Sequence, residues 1–99
     1  MSGIIKSAIT LMTDNAIEVN SREQLEFVLN YYKVTKFQSE NQIARIMDMY
    51  KRHESFCILP LNGTHSDVNY LQNDTDRYTI LQFDEVFPNA FKRNYEVWY

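Results

Sequence analysis

The side chains that could act as nucleophiles or acid–base catalysts are few in this 99-residue chain, and their spacing keeps them apart. Cys57 is the only cysteine, and it lies in an apolar run, where burial raises the pKa of a thiol and lowers its reactivity. His53 lies four residues earlier, but a predicted helix end and a predicted strand diverge between them. Asp84 and Glu85 are adjacent at the end of a predicted strand, so they point to opposite faces. These patterns predict no catalytic residue and a protein that is not an enzyme.

A polar segment between two predicted strands carries side chains of the kind that bind metal ions: His65, Asp67, Asp74 and Asp76. It lacks the glycine at the sixth position and the closing glutamate at the twelfth that define a calcium-binding loop, so we expect a solvated acidic loop and no metal site. The only glycines are Gly3 and Gly63, which form no glycine-rich turn around a phosphate. No cofactor is expected.

Charge is distributed unevenly along the chain. Ten Lys and Arg residues against thirteen Asp and Glu residues give a net charge of −3, which makes nucleic acid a poor candidate partner. Between Glu54 and Phe87, six acidic residues stand against Arg77 alone, a net charge of −5. Such a surface could steer a basic patch of a partner protein towards the chain. The alternative is that a solvated loop is simply acidic.

Length and composition predict a single small domain covering residues 1–99. The contents of hydrophobic residues (44%) and charged residues (23%) are typical of a globular chain. The apolar stretch from Ile4 to Met12 is interrupted by Lys6 and is too short to span a bilayer, so no membrane association is expected. A single cysteine and a start without the pattern of a signal peptide indicate a cytoplasmic setting.

Two helices are the clearest predicted elements. Residues 21–24 and 39–42 both place Ser at the helix cap and Gln three residues later, which is the capping-box pattern. Apolar residues then follow at i, i+3, i+4 and i+7 in each. The first helix is expected to end near residues 33–35, and the second to run from about Glu40 to His53. The short connection between them suits neighbours in an antiparallel pair.

Extended segments flank the helices. Residues 4–19 suggest a hairpin that ends on Ile17 and Val19, although the part from Ile4 to Met12 could instead form a short helix. Residues 56–61 form an apolar run suited to a strand buried on both faces, and Pro60 favours a strand end or edge. The chain is therefore predicted to be an α+β domain, with a small antiparallel sheet and two helices packed on one of its faces.

A second strand is expected at residues 78–83, after a long polar connection, residues 62–77, that is either mobile or functional. Fourteen residues are aromatic, and four of them lie in the last nine: Phe91, Tyr95, Trp98 and Tyr99. The pattern there predicts a turn at residues 88–93 and a strand at 95–99, while a four-residue spacing also permits a helical turn. Aromatic residues are enriched at interfaces, which favours a homodimer or a partner-binding surface over a purely internal role.

The order of strand, capped helix, helix and two strands resembles small accessory proteins common in phages and prophages. The residues that carry this resemblance are segments 17–24 (IEVNSREQ), 56–59 (FCIL) and 78–85 (YTILQFDE). Residues encoded by AT-rich codons (Asn, Ile, Tyr, Lys and Phe) total 35, against 13 for Ala, Gly, Pro and Arg, which points to an AT-rich genome, such as that of a phage, a mobile element or a low-GC bacterium. The resemblance implies a protein that binds and blocks a host protein or sequesters a small signal.

The combined expectation is a non-enzymatic, phage-encoded inhibitor that acts as a homodimer on a host protein, a component of a restriction, BREX or CRISPR type defence complex. Its partner-binding surface is expected to combine acidic and aromatic residues: Asp67, Tyr70, Asp74, Asp76, Asp84, Glu85, Trp98 and Tyr99. One alternative is a sponge for a nucleotide signal, with phosphates held by Arg45, Arg52, Arg77 or Arg93 and the base stacked on Tyr or Trp. A second alternative is a small regulator that contacts DNA through the second helix.

Overall fold

A computed structural model describes residues 10–73 and 76–91 of the chain. The described elements, in chain order, are β1 (Asn15–Val19), α1 (Arg22–Tyr31), a 3-10 turn (Thr35–Phe37), α2 (Glu40–Met49), β2 (Phe56–Leu59), β3 (Thr64–Asp67), α3 (Val68–Gln72), β4 (Thr79–Gln82) and α4 (Phe83–Val86). This mixture of a four-stranded sheet with separate helices confirms the α+β class. No helix among the described residues is long and apolar enough to cross a membrane.

The strands form one sheet in the order β3-β2-β1-β4. β2 pairs antiparallel with both β1 and β3, whereas β4 pairs parallel with β1, with Asn15 opposite Thr79 and Glu18 opposite Gln82. The sheet is therefore mixed, which corrects the prediction that it is wholly antiparallel. The chain crosses back over the sheet through α3 before β4, and such a long connection allows a parallel pair.

The two central strands are covered on both faces. All four residues of β2 are buried, as predicted, and so are Ala16, Ile17 and Val19 of β1. Because successive side chains of a strand point to opposite faces, these strands divide their apolar residues between two cores. The larger core joins Ile17, Val19 and the Phe56 side of β2 to α1, α2 and α4, and the smaller one joins Ala16 and Cys57 to Leu71 of α3.

Helices α1 and α2 begin where the capping-box pattern predicts. Ser21 accepts a hydrogen bond from the Gln24 N–H at 3.2 Å, and Ser39 accepts one from the Gln42 N–H at 3.3 Å. Each helix turns its apolar stripe to the larger core, so the prediction of two helices on one face is confirmed. Helix α2 ends at Met49, four residues before the predicted end at His53, because the chain turns there to enter β2.

Two further segments differ from the expectation. Residues 62–77 were predicted to be a long polar connection, either mobile or functional, and they contain β3 and α3. The sequence of β3, Thr-His-Ser-Asp, has no apolar alternation because the strand lies at the edge of the sheet. Asp84 and Glu85 were placed at a strand end, but they lie in α4, where the Glu85 carboxylate accepts a hydrogen bond from the Gln82 N–H at 2.8 Å.

The two ends of the chain are described only in part. Before β1, residues 13 and 14 form a turn and residues 10–12 have no regular structure. Residues 88–91 form a turn, which agrees with the turn predicted at residues 88–93 as far as the described residues extend. The earlier part of the proposed hairpin, and the predicted strand at 95–99, lie outside the described residues.

Candidate functional site

A groove of about 530 Å³ runs beside the edge strand β3. Its walls come from the end of α2, from β3 and the end of β2, from α3, and from the start of the segment that leads into β4. The lining residues are Met49, Tyr50, His53, Leu59, Thr64, His65, Ser66, Asp67, Tyr70, Leu71 and Tyr78. Three tyrosines and two histidines give this groove an aromatic lining of the kind that favours recognition of a partner or ligand.

The register of β3 decides which wall each of its side chains joins. His65 lies opposite Ile58 and Asp67 opposite Phe56, so both share the face of the larger core. Ser66 lies opposite Cys57 and therefore shares the face that carries α3. The groove thus borders both sides of a single strand, with the end of α2 on one side and α3 on the other.

Tyr50 and His65 form a side-chain hydrogen bond at the wall of the groove. The Tyr50 hydroxyl and His65 Nδ1 are 2.7 Å apart and share one hydrogen bond, whose donor depends on the tautomer of the imidazole. The Tyr50 ring stacks on Phe56 with 4.5 Å between centroids, and the His65 ring meets Phe37 edge to face at 5.5 Å. These ring contacts hold both polar groups in place.

Both groups are neutral at pH 7. Burial, and then the nearby Lys36 ammonium, lower the pKa of His65 below its ordinary value of 6.5. Burial also raises the pKa of Tyr50, and Asp67 and Cys57 add to that effect. The pair therefore offers hydrogen bonds without charge.

Helix α3 is attached to β3 by the side chain of Asp67. The Asp67 carboxylate accepts a hydrogen bond from the Tyr70 N–H at 2.7 Å and so caps the helix. The Tyr70 side chain is 65% exposed on the rim of the groove, and Met49, 55% exposed, lies on the same groove. Asp67 and Tyr70, both expected to be site residues, are thus brought together here.

Cys57 cannot act as a nucleophile in this arrangement. It is fully buried, and desolvation, with smaller contributions from Glu18 and Asp67, raises its pKa to about 12. The predicted divergence of His53 and Cys57 is confirmed, because His53 lies on the exposed side of Tyr50 while Cys57 belongs to the smaller core. His65 and Ser66 are adjacent in β3 and so point to opposite faces.

The other predicted site residues lie away from the groove or outside the described residues. Asp84 and Glu85 are exposed on α4, which follows β4 at the opposite edge of the sheet. Three strand spacings separate β3 from β4, roughly 14 Å between strands, so these acids do not share the groove. Asp76 is exposed in the connection that precedes β4. Asp74, Trp98 and Tyr99 lie outside the described residues.

Several groove residues were not predicted as site residues: Met49, Tyr50, His53, Thr64, Ser66 and Tyr78. Tyr50 belongs to the apolar stripe of α2, and nothing in the local sequence links its hydroxyl to His65, fifteen residues later. Met49 lies off that stripe and is exposed, and this position was the one signal that could have identified it.

No three of the described His, Cys, Asp and Glu side chains converge as ligands for a metal ion. Among the described residues that line the groove, Asp67 is the only carboxylate, and none is a lysine or an arginine. Comparisons with protein-family models, with curated proteins and with solved structures found no match.

Proposed function

We propose that this chain is a binding protein rather than an enzyme, and that the groove beside β3 is its contact surface for a partner protein. The observation that carries the proposal is the open aromatic groove of about 530 Å³, with Tyr70 and Met49 exposed on it. Tyrosine is among the residue types that contribute most binding energy when a partner covers them. An exposed methionine can adapt its shape to the surface that packs on it.

The acidic residues add the long-range part of the proposed interaction. Asp67 lies in the groove, and Asp76, Asp84 and Glu85 are exposed around the sheet. These charges would accelerate the encounter with a basic partner and make it sensitive to salt. The resemblance to phage accessory proteins directs the proposal to a host protein, a component of a defence complex, with cytoplasmic action.

A homodimer is also part of the proposal. Phe91, 57% exposed, and Tyr31, 40% exposed, belong to an aromatic group around Phe87 on the side of the molecule that α1 and α4 share. Exposed rings of this kind suit an interface between copies. The groove and the dimer surface would then lie on separate parts of the protein.

Capture of a partner from lysate of a low-GC bacterium tests the proposal. Tagged wild-type protein should retain one protein complex, Tyr70→Ala and Met49→Ala should lose it, and Met12→Ala should keep it, because Met12 is equally exposed but lies outside the groove. Mass spectrometry of the eluates provides the readout. Retention that is the same for all four proteins would contradict the assignment of the groove.

The nucleotide sponge is the second candidate, since the groove has room for a small ligand and tyrosines on which a base could stack. The groove offers no arginine to bind the phosphate of a nucleotide among its described lining residues, because Arg45, Arg52 and Arg77 are exposed elsewhere. Excess absorbance near 260 nm in the purified protein, lost in Tyr70→Ala, would favour the sponge over a protein partner.

A further inference from the structure

The backbone of β3 lies at an edge of the sheet. In the described part of the chain, β3 pairs with β2 on one side and no strand lies beyond it on the other. In an antiparallel pair the residues alternate between pointing their N–H and C=O groups at the neighbouring strand and pointing them away. Two of the four residues of β3 therefore direct their backbone groups outwards, along the groove, where a further strand could pair with them.

The groove also offers two different walls to such a strand. Met49, Tyr50 and His53 form the wall at the end of α2, whereas Tyr70 and Leu71 form the wall from α3. Successive side chains of an extended segment point in opposite directions, so alternate residues would face these two walls. Backbone pairing would supply affinity, and the walls would supply specificity for alternate side chains.

The charge of the groove indicates what kind of segment fits. Among the described residues that line it, Asp67 is the only carboxylate and none is a lysine or an arginine. Residues 54–87 carry a net charge of −5. A lysine or arginine directly across from Asp67 would form a favourable cross-strand pair. A second copy of this chain, with its net charge of −3, would instead bring like charge to the groove.

We propose that β3 is a template for strand addition, in which the partner protein supplies an extended segment with alternating apolar residues and a Lys or Arg opposite Asp67. This inference rests on the proposed function, since it specifies how the partner occupies the same groove. It goes beyond that proposal by requiring main-chain hydrogen bonds between the partner and β3.

The test begins with selection of a phage-displayed library of random linear dodecapeptides on the immobilised full chain. Enriched peptides are expected to contain a basic residue flanked by alternating apolar residues, and to bind Tyr70→Ala less tightly than the wild type. Each position of the best synthetic peptide is then N-methylated in turn, which removes one N–H donor. Within the stretch of the peptide that pairs with β3, methylation should weaken binding by about tenfold at alternate positions and have little effect between them, because only alternate residues donate to β3.

The charge requirement has its own matched pair of variants. Asp67→Asn retains a helix-capping oxygen and removes the charge. The variant should therefore fold normally and bind the basic peptide about three- to tenfold less tightly than the wild type. Glu23→Gln, at an exposed acid in the first turn of α1 that does not line the groove, should not change the affinity.

The outcomes separate this inference from the proposed function. Peptides that need Tyr70 but show no alternation in the N-methyl scan would overturn strand addition and leave the groove as a binding surface. Absence of any enriched peptide, with lysate capture still dependent on Tyr70, would also overturn strand addition alone. If no peptide is enriched and capture from lysate does not depend on Tyr70, strand addition and the proposed function are both overturned. Self-association of the chain through β3, in place of peptide binding, would also overturn both.

Discussion

At the scale of single residues, the groove depends on a few side chains whose neighbours set their chemistry. Tyr50 is almost fully buried, and its hydroxyl meets His65 Nδ1 at 2.7 Å, so the polar ends of both residues are satisfied at the wall of the groove. Cys57 lies in β2 on the face of the smaller core, and its thiol, with a pKa of about 12, stays protonated. Tyr50 and His65 therefore present hydrogen-bonding groups without charge to the groove at pH 7.

The lowered pKa of His65 makes a prediction about stability and pH. The unfolded chain binds a proton near the ordinary pKa of 6.5, whereas the folded chain binds it only at lower pH, so the unfolded state carries more protons between the two values. Stability should be highest above pH 6.5 and should fall as the pH decreases below it. Urea unfolding at pH 7.5 and pH 5.5 should show a larger decrease for the wild type than for His65→Asn.

The half-exposed position of the imidazole keeps this effect smaller than a fully buried histidine would give. Equal decreases in the two proteins would contradict the assignment, and a chemical-shift titration of His65 would show directly whether its pKa lies below 6.5.

At the scale of elements, local sequence and long-range pairing contribute differently. Both long helices begin at a serine that caps them, and their apolar stripes alone are enough to place them on the sheet. β4 lies within the strand predicted at residues 78–83, but its parallel pairing with β1 has no local signal, and β3 has none at all. β3 is polar throughout, and only its ladder with β2 makes it a strand.

Ser21 provides a test at this scale. Its hydroxyl caps α1 through the Gln24 N–H, so Ser21→Ala should lower the free energy of unfolding by about 1 kcal/mol. Ser21→Asn keeps a capping oxygen and should cost much less. Urea titrations followed by circular dichroism give both values, and an Asn variant as unstable as the Ala variant would argue against capping as the cause.

At the scale of the whole molecule, the sheet has two buried central strands, and no described strand lies on the outer side of β3. β1 pairs on both sides and is buried on both faces except at Asn15 and Glu18, whereas β3 pairs only with β2 in the described part of the chain and is half exposed. Among the described residues, β3 and β4 are the two outer strands of the sheet, and they pair with β2 and β1 respectively. The buried central strands can therefore stay paired while β3, as we propose, binds a partner segment along its outer side.

Hydrogen exchange should reproduce that division. Amides of Ile17 and Ile58 should exchange slowest, at rates set by global unfolding, because the central strands open last. The amides of β3 should exchange faster in the free protein and slow down when the selected peptide is bound. Exchange of β3 as slow as that of β1 in the free chain would show that the edge is already covered, and would contradict its proposed role.

The sequence determined the α+β class, the starts of both long helices, the strand buried on both faces and the buried cysteine. These features depend on caps, periodicity and composition, which act over a few neighbouring residues. Of the residues that the sequence predicted for the binding surface, Asp67 and Tyr70 lie in the groove, whereas Asp84 and Glu85 lie on α4.

The parallel pairing of β1 with β4, the polar strand β3 and the Tyr50–His65 contact were decided only by the tertiary structure. Each of these joins residues that are far apart along the chain or lack a local pattern of their own. β4 and β3 pair with the backbone groups at the outer sides of β1 and β2, while the helices cover the two faces of the sheet. The groove is a consequence of that packing, and no short segment of the sequence encodes it.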